Sequence, residues 1–197
     1  MTITEFLERN ARLYPNDVCL VEINPEIKED RRVTWKEYEL IEPSPKTSYR
    51  REITWSVFNE KANRFANLLL QRGIKKGDKV AILMMNGLEW LPIYFGVLKT
   101  GALAVPLNFR YSSDEIEYCV NLAEADVLVF SNPFIGRVEE IADRISKGRL
   151  LIYVGEGCPG FADDYTSLSA NCSSQSPAIP LFEDDDAAIY FSSGTTG

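Results

Sequence analysis

From Lys79 onward the sequence falls into a rhythm that few folds accommodate. Short apolar runs, "KVAILM", "ALAVPL", "DVLVFS" and "RLLIYVG", carry no polar alternation, and a helical pattern follows each of the first three. A run of that kind is covered on both faces, as a parallel strand between layers of helix. Each strand-plus-helix unit is about 20–30 residues long, enough for a right-handed crossover. The rhythm therefore predicts an α/β fold with a doubly wound, mostly parallel sheet and helices on both faces. "DAAIYF" reads as its last strand, and the stretch from Glu156 to Pro180, rich in Ser, Asp, Gly and Pro, reads as loop.

The segment before this rhythm is different. "TITEFLERNARLYP" places Ile3, Phe6, Leu7 and Leu13 near one helical face, with Thr2 or Thr4 as cap and Pro15 at the end. "DVCLVEI" reads as a strand. "RRVTWKEYELI" and "SYRREIT" flank the proline-bearing "EPSPKT" and read as a hairpin. "TWSVFNEKANRFANLLLQRG" is the clearest helix: Val57, Phe58, Ala62, Phe65, Leu68 and Leu69 keep the 3.6-residue period, Thr54 caps one end and Gly73 the other.

Bulk properties narrow the function. With 21 basic against 29 acidic residues the net charge is −8, which disfavours nucleic acid or an anionic membrane as main partner. Histidine is absent, removing His-based acid–base chemistry and every His triad. Cys19, Cys119, Cys158 and Cys172 form no CxxC pair. No signal peptide or membrane span is visible, so the expected location is cytoplasmic.

Five stretches are candidates to carry chemistry. In "SSGTTG", Ser192 to Gly197, Gly194 and Gly197 let backbone approach a ligand, and Ser192, Ser193, Thr195 and Thr196 supply hydroxyl donors. Consecutive N–H groups in such a turn form an anion-binding concavity, and the loop stands at the carboxyl end of a strand, where ligands of such sheets bind. It lacks the lysine of a Walker A loop. A flexible polar tail is the plainer alternative. "GEGCPG" spells GxGxxG with Gly155, Gly157 and Gly160, a fingerprint for NAD, but Pro159 interrupts it and no long amphipathic helix follows. A turn is the better reading there. The acidic run Glu183 to Asp186 reads as a solvated loop and the aromatic group Trp90, Tyr94 and Phe95 as core. "NFR", Asn108 to Arg110, either faces a cleft or lends Arg110 to a carboxylate.

The ordered run from "ITWSVFNEKANRFANLLLQRG" through "GDKVAI" and "PLN" to "FSSGTTG" resembles the amino-terminal part of the adenylate-forming (AMP-binding) superfamily, nearest its acyl-CoA synthetases. "FSSGTTG" matches the first seven positions of that family's YTSGTTGxPKG, with Phe191 for its Tyr and Ser192 for its Thr. The resemblance covers about three quarters of the chain.

It implies a two-step chemistry. A carboxylic acid attacks the α-phosphate of ATP to give acyl-AMP and pyrophosphate, and coenzyme A then takes the acyl group. Ser192 to Gly197 would cradle the ATP phosphates, with Mg²⁺ beside them. The family's loop lysine, nucleotide contacts, Mg²⁺ ligand, acid pocket and catalytic lysine lie further on. The resemblance thus implies a fragment of the large domain over residues 1–197, without a catalytic residue or metal ligand of its own and inactive alone. Such a fragment would keep Gly194 to Gly197 mobile and expose apolar surface for self-association. A non-catalytic interaction module with the same fold is the alternative of a different class.

Overall fold

The computed structural model describes residues 1–23, 50–145 and 148–192. The βα rhythm folds as its apolar runs require. Strands β3 (Lys79–Leu83), β4 (Leu103–Pro106), β5 (Val127–Ser131), β6 (Leu150–Val154) and β7 (Asp163–Asp164) form one sheet in the order β4-β3-β5-β6-β7, every pair parallel. Before it come α1 (Ile3–Leu13), an antiparallel pair β1 (Val18–Ile23) and β2 (Arg50–Thr54), and α2 (Trp55–Gln71). Helix α3 (Trp90–Lys99) links β3 to β4, and α4 (Ser113–Leu122) links β4 to β5. Two short helices, α5 (Ile135–Glu139) and α6 (Ala142–Ile145), precede β6, and α7 (Tyr165–Ala170) follows β7.

Alternate strand residues feed opposite layers. Val80, Ile82, Val127 and Val129 pack with Phe65, Leu69, Ile93 and Val97 of α2 and α3. Ala81, Leu83, Leu128 and Phe130 pack with Ile116, Val120, Val138 and Ile141 of α4 to α6. Both faces are covered, which is why these runs need no polar alternation. A third cluster, Leu7, Ile53, Phe58, Ala62 and Leu88, ties α1 and the β1–β2 pair to α2.

Local chemistry sets the helix ends. Thr54 accepts from the Val57 N–H at 3.4 Å, and Gly73 leaves α2 at φ +88°. Ser112 and Glu115 form a capping box on α4, as Thr2 and Glu5 do on α1. Helices α2 and α3 approach closely because position 96 is glycine: a Cβ there would meet Phe65 Cδ1 at 2.8 Å and the Ala62 carbonyl at 2.9 Å.

Several expectations change. Of the apolar residues placed on one face of α1, only Leu7 is buried. Thr4 and Asn10 complete the buried stripe, and Ile3, Phe6 and Leu13 face outward. On α2, Val57 is also exposed. The single helix expected after "DVLVFS" breaks near Glu140, where the Ile141 N–H bonds to Val138, three residues back. The stretch read as loop after Glu156 holds β7 and α7, whose first turn is capped by Asp164 accepting from the Ser167 N–H at 2.7 Å. "DAAIYF" makes one parallel bridge, Ala188 to Ala104, rather than a full strand. Arg50–Thr54, one arm of the expected hairpin, pairs with β1; the other arm lies outside the described residues.

Candidate functional site

The site is built from the edge of the sheet. The Ala104 N–H donates to the Ala187 carbonyl at 3.0 Å, and the Ile189 N–H donates to Ala104 at 2.9 Å. Residues 187–189 thus run parallel to β4 and extend the sheet by one short segment. Beyond them the side chains keep alternating: Ala188 packs with the α2–α3 layer, while Ile189 and Phe191 pack with the α4–α6 layer. Ser192 follows, exposed, at the carboxyl end of the sheet. Ser193, Gly194, Thr195, Thr196 and Gly197 lie outside the described residues.

Two features flank this exit. Counted from the Ala188–Ala104 bridge, Asn108 stands four residues along β4's side, as Ser192 does along its own. Asn108 Oδ1 accepts from the Arg110 N–H at 3.0 Å, and Arg137 donates to the Phe109 and Tyr111 carbonyls at 2.8 and 2.9 Å. The "NFR" turn is therefore held by Arg137, and Arg110 lies over the Phe109 ring. On the other side, Trp90 stacks on Tyr94 with ring centroids 5.3 Å apart, and the Tyr94 and Tyr190 hydroxyls are 3.1 Å apart. Burial, then the bond to Tyr190, pushes the Tyr94 hydroxyl well above its ordinary range, so it stays protonated. Phe95 packs edge-on against Phe58 at 5.1 Å; all three aromatics are half-buried and pack against the core, as expected of them.

The approach to this edge is held by α2. Asn63 donates to the Ser174 carbonyl at 2.8 Å, and Arg64 to those of Ala170 and Cys172 at 3.1 and 2.6 Å. Asn67 donates to the Ser173 and Gln175 carbonyls at 2.8 and 2.9 Å. Further on, Ser176 bonds to Glu8, and Asp185 accepts from Lys76 Nζ at 2.6 Å and from the Phe182 N–H at 2.8 Å. Those bonds hold the carboxyl of Asp185 below its ordinary value, Lys76 first. The acidic run is thus tied into a turn at Asp185. Sequence reading missed these holders, because Asn63, Arg64 and Asn67 look like the ordinary polar side of a surface helix.

Other titratable groups are held in structural contacts away from this edge. Lys61 Nζ lies 2.6 Å from Glu89, whose other oxygen is 3.4 Å from the Tyr165 hydroxyl. Burial and the Glu89 charge push that hydroxyl up. All four cysteines are free, and burial raises each thiol, leaving them protonated and weak as nucleophiles. "GEGCPG" is a turn built against Tyr153, near the end of β6. Tyr153 donates to the Glu156 carbonyl at 2.8 Å, and a Cβ at Gly155 would meet the Tyr153 oxygen at 2.6 Å. Only the six-residue α7 follows, so the helix that the dinucleotide fingerprint needs is missing there.

A cleft of about 490 Å³ lined by Arg72, Lys75, Asp78, Asp126 and Arg149 opens at the opposite, amino end of the strands. Its carboxylates cap backbone N–H groups of Lys75 and Lys79, and Arg149 donates to the Ala125 and Ile145 carbonyls. These groups close strand and helix ends, and ligands of parallel sheets bind at the other end, so we place the candidate site at Ser192.

The sequence profile described as AMP-binding enzyme matches residues 43–197. The chain belongs to this family. Among its relatives, the long-chain-fatty-acid–CoA ligase FadD13 of Mycobacterium tuberculosis is 32% identical over 154 residues, covering 78% of this chain and 29% of the relative. The crotonobetaine/carnitine–CoA ligase of Salmonella heidelberg is 36% identical over 152 residues, with 74% and 29% covered. The anthranilate CoA ligase AuaEII, solved with anthranoyl-AMP, aligns at a TM-score of 0.79 and 25% identity, over 98% of this chain and 32% of that one. The inhibitor-bound N-terminal domain of FACL13 from Mycobacterium tuberculosis aligns at 0.70 and 27%, covering 99% and 42%. The chain thus spans less than a third of the length of the curated relatives it matches. Among the described residues, no helix is long and apolar enough to cross a membrane.

Proposed function

We propose that residues 1–197 act as the amino-terminal part of the large domain of an ATP-dependent acyl-CoA synthetase, with Ser192 to Gly197 as its phosphate loop. In this reading a small carboxylic acid attacks the α-phosphate of ATP, releasing pyrophosphate, and coenzyme A then takes the acyl group from acyl-AMP. The observation that carries it is the position of Ser192. It leaves a parallel edge segment at the carboxyl end of the sheet, inside the stretch matched by the family profile. The hydroxyls of Ser192, Ser193, Thr195 and Thr196 donate to phosphate oxygens, and Gly194 and Gly197 admit the backbone to the same anion. The CoA-ligase names of the relatives support the thiol step, and the acyl-AMP held by AuaEII supports the first.

The described residues position; they do not react. Adenylyl transfer depends mainly on placing the triphosphate and stabilising its charge. Here that means holding the edge segment through Ala104, Phe191 and the Asn63–Asn67 face of α2. Mg²⁺ would supply charge neutralisation when bound. Among the described residues no three acidic or cysteine side chains converge on one point.

The test is carboxylate-dependent exchange of pyrophosphate into ATP, run on the 197-residue chain and on the product of the complete gene, with fatty and aryl acids. Exchange by the gene product and none by the chain alone is expected. No exchange by either would overturn the enzyme reading. Exchange by the chain alone would overturn the assignment of the chemistry to residues outside it.

A further inference from the structure

Residues 187–192 are held to the sheet by few bonds. Among the described residues, their backbone ties to it are the two with Ala104, and both lie at or before Ile189. The chain must still cover three residues to reach Ser192. Over that span Phe191 packs into the α4–α6 layer on one face. On the opposite face Tyr190 projects from the surface, 68% exposed, yet its hydroxyl is 3.1 Å from that of Tyr94. An exposed tyrosine gains little by lying down unless its hydroxyl has a fixed partner.

Tyr94 is such a partner. It stands on α3, between Ile93 and Val97, both buried in the core, and its ring is stacked on Trp90 at an interplanar angle of 12°. Phe95 adds an edge contact at 6.3 Å. The ring is therefore held on two sides before Tyr190 arrives. With its proton retained, as its raised pKa requires, the hydroxyl can either donate or accept.

We propose that Tyr94 is a positioning residue for the loop that begins at Ser192: its hydroxyl tethers Tyr190 and so sets the direction in which the chain leaves the sheet edge. The tether and the Phe191 contact grip the segment from opposite faces, and a segment so gripped cannot roll about its own axis. The tether is a claim about structure; its consequence for ATP rests on the function proposed above.

Hydrogen exchange in the 197-residue chain tests the tether without any ligand. Tyr94→Phe keeps the stacked ring and removes the hydroxyl. The Ile189 amide, bonded to Ala104, is expected to exchange about two- to fivefold faster, the range for weakening one partly exposed hydrogen bond. Amides of α3 should stay unchanged. Tyr190→Phe should give the same acceleration, and the double variant no more than either single one, since all three lack the same bond. Unchanged exchange in both single variants, or effects that add, would overturn the tether. If Tyr94→Phe also loosens α3, Tyr190→Phe decides the matter, because that side chain is outside the core.

The gene product carries the second readout. In pyrophosphate exchange, Tyr94→Phe should raise KM for MgATP about two- to fivefold and leave KM for the carboxylate unchanged. An equal rise in both, or none, would overturn the link to the loop. A gene product with no exchange activity would sink the proposed function and that link with it, while the amide measurement still decides the tether.

Discussion

Lys99 is an ammonium with almost no contact with water, 2% exposed at the end of α3. Its partner is Glu8 of α1 at 2.5 Å, which also bonds to Ser176. Burial pulls the Lys99 pKa down against the pull of Glu8. At Glu8 burial pushes the other way, but the bonds from Lys99 and Ser176 win and hold its carboxyl below the ordinary 4.5. A carboxylate depressed on folding contributes stability above its unfolded pKa, and that contribution disappears as pH falls through the folded value. The chain should therefore lose stability below about pH 4.5, and Glu8→Gln should lose less than the parent over the same range. At neutral pH we expect Glu8→Gln to cost about 1–2 kcal/mol in urea unfolding, short of the ~3–5 kcal/mol of a fully buried pair because Glu8 is partly wet. Adding Lys99→Met should recover part of the loss, since it removes the unpaired charge.

At the scale of elements, the close approach of α2 and α3 depends on Gly96. Gly96→Ala puts a methyl group against Phe65 and the Ala62 carbonyl. The helices must separate, at about 1–3 kcal/mol and a Tm lowered by about 3–10 °C in a calorimetric scan. The same scale shows what was legible in the sequence. Strands β3 to β6 were, because an apolar run covered on both faces needs no partner to be recognised. Helix α2 was, because Thr54 and Gly73 mark both its ends. The face of α1 was not: its buried stripe contains Thr4 and Asn10, polar residues placed inward by the packing around Leu7. Nor were β7 and α7, whose short "DDYTSLSA" has no hydrophobic period and is held from outside, through Tyr165 in the core and Arg64 on the Ala170 carbonyl. At the candidate site the glycine- and hydroxyl-rich motif was visible as letters. Tyr94 and Tyr190, 96 positions apart, carry no local signal for each other.

The whole molecule turns on where its two sheet edges lie. After β7, at one edge, the chain crosses the α2 side and reaches the other edge at 187–189, beside β4. The bonds from Asn63, Arg64 and Asn67 that steer this crossing join residues 106 to 111 positions apart. Contacts of that reach form slowly, because a long loop must close before any bond forms in return. The order of events in folding follows. Amides of α2 and β3 should become protected first in pulsed hydrogen exchange during refolding, and that of Ile189 afterwards; simultaneous protection would contradict this. During synthesis α2 leaves the ribosome about a hundred residues ahead of the segment it holds, a delay of roughly 5–20 s at ordinary elongation rates. Through that interval Asn63, Arg64 and Asn67 have only water to bond. The strand end that carries Ser192 is thus among the last parts of the chain to find its place.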